Sequence, residues 1–223
     1  MKELTQSEQK VLAARSAVET LVSKGLIFSG MKIGLGTGST ALPAVKRLSE
    51  YIADGTLKDV KAVPTSFQTE NACIDWGIPV FSFKDRAING ELDLAIDGAD
   101  ELDLDCNCIK GGGAALLREK IVAYNAKKFV VVADSSKAVD TLGTKFALPV
   151  EIIAEAYVPV KKALEKLLVT CDFTGLSCVH GKWYENGENV EGYIENYDSM
   201  CDLIEKYDMR PSTFTDSKGD PEQ

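Results

Sequence analysis

The sequence predicts an α/β fold: a Rossmann-like, mainly parallel sheet with helices on both faces, followed by a smaller C-terminal α+β domain. Three observations carry this prediction. Between Met31 and Ala133, short apolar or β-branched runs alternate with helical stretches, the order of a parallel sheet covered on both faces. Each run ends in a polar or glycine-rich loop, as strands of such sheets do. After Pro149 the character changes, and from Cys171 onward the chain is polar. We therefore expect a catalytic domain over residues 1–147 and a smaller domain over residues 148–223.

Taken in order, Ser7 to Val22 places Val11, Leu12, Ala14, Val18, Leu21 and Val22 at helical spacing. Met31 to Leu35 is a strand that enters the glycine-rich turn Gly34-Leu35-Gly36-Thr37-Gly38-Ser39-Thr40, and a helix from Ala41 to Tyr51 follows directly. Strands are expected at Val60–Val63, Pro79–Phe83, Leu92–Ile96 and Phe129–Ala133, with helices at Ser66–Asp75 and Ala114–Asn125 between them. Val150–Ile153 reads as a strand, and Val158–Leu168 and Ser199–Tyr207 as helices. The tail Pro211–Gln223 is rich in Asp, Ser, Thr, Gly and Pro and is expected to fray. In open parallel sheets ligands bind beyond the carboxyl ends of the strands. The chemically unusual residues fall at those ends: Gly36–Thr40, Thr65-Ser66, Asp97–Asp100 and Asp134–Lys137.

Composition narrows the chemistry. The 223 residues are 45% apolar and 26% charged, the balance of a globular chain with a sizeable core. Asp and Glu number 34 against 25 Lys and Arg, a net charge of −9. An acidic chain is poorly suited to nucleic acid or anionic membranes, because both need basic surface to displace counterions. With His180 as the single histidine, no multi-histidine metal site can be built. Six cysteines without a C-x-x-C pair, in a chain this long and apolar, read as reduced cytoplasmic thiols. Met1 to Arg15 is polar, so no secretory signal is expected there. No apolar stretch approaches the roughly 20 residues that span a bilayer.

Three constellations carry chemistry. Thr37, Gly38, Ser39 and Thr40, between a strand and a helix, offer backbone N–H groups, hydroxyls and the positive end of a helix, an anion cradle. The same residues would also make an ordinary tight turn with Ser39 or Thr40 as N-cap. Neither the Walker lysine nor the third glycine of the dinucleotide fingerprint is present. Asp97-Gly98-Ala99-Asp100-Glu101 places two carboxylates at a strand's carboxyl end, where they can bind hydroxyls or transfer protons; a solvated acidic turn is the alternative. Lys110-Gly111-Gly112-Gly113 opens a helix that carries Glu119. Burial there would raise the Glu119 pKa toward that of a useful base, whereas an Arg- and Lys-rich wet face would leave it ordinary. Lys137 follows the last strand of the series and can reach the same crevice.

Together these motifs resemble ribose-5-phosphate isomerase, type A. The resemblance runs from about Lys10 to Leu168 through GLGTGST, DGADE, KGGGAALLREK, ADSSK and LPVEII, with their spacing. It implies interconversion of D-ribose 5-phosphate and D-ribulose 5-phosphate in the pentose phosphate pathway, without metal or organic cofactor, by a homodimer or homotetramer. It also implies roles: Glu119 as the base that carries a proton between C2 and C1, and Asp97 and Asp100 on substrate hydroxyls. Lys110, with Gly111, Gly112 and Gly113, would stabilise charge on the substrate oxygens. Gly98 and Ala99 would line the sugar, while Thr37, Gly38, Ser39, Thr40, Lys137 and Lys10 would hold the phosphate. A sugar-phosphate deaminase, a coenzyme A transferase, a sugar-phosphate-binding sensor and an inactive variant of the fold are the competing readings. The intact Lys110–Lys120 block argues against the first two, and a base at Glu119 is superfluous to a sensor.

Overall fold

The computed structural model describes residues 4–113, 115–150, 152, 156–165, 176–179, 182–185 and 188–189. The chain divides into two compact units, Met1–Leu148 and Pro149–Gln223. The first contains α1 (Gln6–Ser23), β1 (Lys32–Leu35), α2 (Ala41–Ala53), β2 (Lys61–Pro64), α3 (Phe67–Asp75), β3 (Leu94–Asp97), β4 (Glu101–Leu102), β5 (Cys108–Ile109), α4 (Leu116–Tyr124) and β6 (Phe129–Val131), followed by a 3-10 turn at Ser135–Lys137. The second contains α5 (Tyr157–Glu165) and the antiparallel strands β7 (Leu176–Val179), β8 (Lys182–Glu185) and β9 (Glu188–Asn189). Helix and antiparallel strands together match the α+β character expected of that part.

In the first unit the strands pair in the order β2-β1-β3-β6, and every pairing is parallel. Leu35 stands opposite Pro64 on one side and Ile96 on the other, and Asp97 stands opposite Val131. The carboxyl ends of all four strands therefore come out along one edge. Period-two alternation sorts the side chains between the faces. Ile33, Leu35, Ala62, Leu94 and Ile96 pack with Ala14, Val18 and Leu21 of α1, Ala44, Val45 and Leu48 of α2, and Cys73 of α3. On the other face Val63 and Ala95 pack with Val122 of α4 and with Ile88 and Leu92. A methyl built on Gly34 would fall 2.3 Å from Val122 Cγ1, so this glycine lets α4 lie directly against β1.

The α1 stripe is Ala14, Val18 and Leu21; Val11 and Leu12, which share the apolar count, face outward at 41% and 55% exposure. Its start is a capping box: the Thr5 hydroxyl accepts the Glu8 N–H at 3.3 Å and Glu8 accepts the Thr5 N–H at 2.7 Å. The Pro79–Phe83 run, expected as a strand, makes one parallel bridge, Val80 to Ala62. Pro79 has no N–H to extend a ladder, and the Asp85 carboxylate takes the Ser82 N–H at 2.6 Å, turning the chain away. The segment holding Cys106 and Cys108 closes the short antiparallel pair β4–β5. Val150 and Ile152 carry no strand; the rest of that expected strand, the end of the helix beyond Glu165, His180, the helix at Ser199–Tyr207 and the tail lie outside the described residues. Among the described residues no helix is long and apolar enough to cross a membrane.

Candidate active site

The aligned strand ends bring three of the four segments singled out in the sequence into one hydrogen-bonded cluster. Asp97 ends β3 and is 3% exposed. Its Oδ1 accepts the N–H of Thr37 at 3.2 Å and of Gly98 at 2.7 Å, and its Oδ2 lies 3.0 Å from Lys110 Nζ. Gly36 makes this possible, since a methyl there would sit 2.0 Å from Asp97 Oδ1. Lys110, just after β5, has three ammonium protons and three oxygens around it: Gly98 O at 2.7 Å, Asp97 Oδ2 at 3.0 Å and Glu119 Oε2 at 3.2 Å. Glu119, in the first turn of α4, is 5% exposed, so the wet-face alternative does not hold. Asp100 accepts the Gly112 N–H at 2.9 Å through Oδ2, tying the acidic turn to the glycine loop.

One ammonium therefore serves two buried carboxylates. Burial, then the neighbouring Asp97 charge, push the Glu119 pKa up to about 7, with Lys110 pulling against them. Burial also pushes Asp97 up, opposed by Lys110 and the two N–H donors. Burial disfavours the Lys110 ammonium, but the two carboxylates more than offset it and raise its pKa. Asp97 has an ammonium and two N–H donors whereas Glu119 leans on the ammonium, and the two carboxyls, both raised around one shared ammonium, exchange protons as a coupled pair, with Glu119 near neutrality. A carboxyl poised there can act as base and then as acid.

The cradle lies alongside. Thr37 is buried, and its hydroxyl is 2.6 Å from that of Thr65, 2.7 Å from Ser66 and 3.3 Å from Thr69. Thr69 donates to Gly36 O at 2.8 Å, and Gly38 N–H reaches Gln68 Oε1 at 3.4 Å. Thr40 stands at the N-cap of α2 without a side-chain cap bond, and Ser39 is engaged by Lys10 Nζ at 3.1 Å. Thr40 thus holds the N-cap position that the tight-turn alternative expects but makes no side-chain cap bond there, and a lysine lies beside the positive end of α2. Lys10 is brought in by α1, whose Gln6 donates to Ser136 at 3.0 Å and whose Gln9 accepts from Ser135 at 2.9 Å.

Not every expected residue joins this cluster. Lys137 ends the 3-10 turn after β6, half-buried, and its ammonium makes no ion pair or hydrogen bond with a described residue. Ala99, Gly111 and Gly113 lie in the connecting loops beside it. Thr69 and Gln68 were not foreseen; their signal was the polar helix start that follows the singled-out Thr65-Ser66.

Residues 61–175 match the family described as Ribose 5-phosphate isomerase A (phosphoriboisomerase A). A ribose-5-phosphate isomerase A of Treponema denticola is 60% identical over 159 residues, a match covering 71% of this chain and 66% of the relative, just under two-thirds of its length. Ribose 5-phosphate isomerase A of Methanocaldococcus jannaschii superposes with a TM-score of 0.66 at 30% identity, covering 98% of this chain and all of that one (100%). A D-ribose-5-phosphate isomerase in complex with phospho-erythronic acid gives a TM-score of 0.65 at 38% identity, covering 73% of this chain and 67% of that one. By the matched segment and by these likenesses, the chain belongs to the ribose 5-phosphate isomerase A family.

Proposed function

We propose that the protein interconverts D-ribose 5-phosphate and D-ribulose 5-phosphate in the pentose phosphate pathway, in the cytoplasm and as a homodimer or homotetramer. The observation that carries this is Lys110 standing between Glu119 and Asp97, 3.2 and 3.0 Å away, at the head of α4. Moving a proton between adjacent carbons of a hydroxy-carbonyl sugar needs a base of near-neutral pKa and a cation for the oxyanion formed. Glu119 removes the C2 proton of the open-chain aldose and returns it to C1. Lys110 and the glycine loop stabilise negative charge on the enediolate oxygens. Asp97 and Asp100 bind hydroxyls, help open the ring and shift protons between oxygens. The phosphate sits at Thr37–Thr40 with Lys10 and Lys137. The related enzyme bound to phospho-erythronic acid supports a phosphorylated sugar-acid shape in this fold. Cys73, Cys106 and Cys108 are unpaired, which suits a reducing compartment.

The reading calls for no metal or organic cofactor. The test is a coupled assay of ribulose 5-phosphate formation by the intact chain, run with and without a chelator. We expect the same turnover in both. Absence of turnover, or turnover lost to the chelator and restored by added metal, sinks it.

A further inference from the structure

We propose that Glu101 is a positioning residue whose carboxylate clamps the segment 143–146, so that Phe146 walls the glycine loop beside Asp100. This rests on reading the cluster as a sugar-phosphate isomerase site. Glu101 follows Asp100 directly but points elsewhere, and it is 0% exposed. Its Oε2 accepts the Gly143 N–H at 2.5 Å; its Oε1 accepts the Phe146 N–H at 2.7 Å and also the Lys145 N–H. The pairing of β4 with β5 involves only its backbone, Glu101 opposite Ile109. A carboxylate taken wholly out of water is costly unless its partners compensate, and here all three are main-chain donors of one segment without helix or strand. The side chain's contacts are thus spent on the path of that segment.

That path ends at the site. A methyl built on Gly112 would fall 2.4 Å from Phe146 Cζ and 2.9 Å from Asp100 Oδ1, so the ring tip and the Asp100 carboxylate share one face of this glycine. Gly112 is also the residue whose N–H binds Asp100 Oδ2. The same segment reaches the turn that carries Lys137: Lys145 Nζ donates to Ser136 O at 2.9 Å and to Ala138 O at 3.1 Å. An apolar ring here keeps water from one side of Asp100 and limits how far the glycine loop can shift, and both effects favour a fixed geometry during proton transfer. Glu101 touches none of the reacting groups; it acts through Phe146.

The test pairs E101Q, which places an NH2 donor against main-chain donors without changing shape, with F146L and the double variant. We expect each single variant to lose about tenfold or more in kcat with KM within about threefold, and the double variant to be no worse than the poorer single. Losses that multiply in the double variant, or wild-type kcat in folded E101Q, overturn the proposal. If E101Q fails to fold, F146L decides, and near-normal kcat there overturns it equally. Amide hydrogen exchange reads the clamp apart from turnover: Gly143 and Phe146 should exchange about tenfold faster or more in E101Q, and unchanged protection refutes the clamp. An inactive wild-type chain in the same assay would instead refute the reading of the site.

Discussion

Glu119 sits where a helix start meets a strand end, and its usefulness comes from being almost dehydrated beside a cation. Its pKa of about 7, raised by burial and the Asp97 charge, sets the direction of the pH dependence. In the proposed reaction the ionised form abstracts the proton, so kcat/KM should be level above that value and fall as the pH drops through it. Glu119→Gln keeps size and a hydrogen-bonding amide but cannot accept the proton; kcat should fall by about 10²–10⁴, with the affinity for ribose 5-phosphate retained by calorimetry. A variant that turns over at the wild-type rate means another group is the base. Residue identities of this kind are legible in the sequence, because Lys110, Asp97 and Glu119 stand in motifs whose spacing delivers them to one edge. Their environment is not. Nothing in the sequence distinguishes a Glu flanked by Arg118 and Lys120 on a wet face from one that turns inward. Glu101 shows the same limit, since its three partners lie some 40 residues further along the chain, beyond local pattern.

At the scale of elements, α1 is held to α2 by core packing and by one charged junction. Glu50 accepts both ends of the Arg15 guanidinium at 2.8 and 2.9 Å and Arg47 at 2.6 Å, while Arg47 Nε meets Glu19 at 2.9 Å. Hydrogen bonds from Arg15 and then Arg47 hold the Glu50 pKa down to about 2. A depressed pKa contributes stability above the ordinary value of 4.5, and that contribution disappears as the pH falls through about 2. The Glu50 and Arg15 side chains are each 35% exposed, so after screening the junction is worth only about 0.5–1 kcal/mol. Glu50→Gln should lower Tm by about 1–4 °C at neutral pH, less in high salt, and least of all near pH 2. A loss that persists in high salt and at that pH would assign the effect to packing. Elements themselves were legible where periodicity was strong, as in α2. They were not where a single residue decided the outcome: Pro79 cuts a strand to one bridge, and β4–β5 forms from two-residue strands too short to show a pattern.

Over the whole molecule the sequence foretold the parallel sheet, because alternation acts over many residues. The polar region after Cys171 carried no such signal, and its antiparallel strands Leu176–Val179, Lys182–Glu185 and Glu188–Asn189 went unforeseen. Global stability is also where the cost of the proposed chemistry should be measurable. Glu119 has a folded pKa of about 7 against an ordinary 4.5, so the folded chain binds this proton more tightly than the unfolded one. A raised pKa contributes stability that is fully present below 4.5 and lost as the pH rises through about 7. Each unit of difference is about 1.4 kcal/mol, which puts the loss on the order of 3 kcal/mol by pH 8. Glu119→Gln removes the ionisation while Lys110 keeps Asp97 and Gly98 O as partners. The difference in Tm between variant and wild type should therefore move in favour of the variant by several degrees between pH 4.5 and pH 8, at equal ionic strength. Only a group that is ionised at a cost in the folded state produces that pH-dependent gain. A variant offset that is the same at both pH values would mean that Glu119 is not strained by its charge and cannot be the poised base.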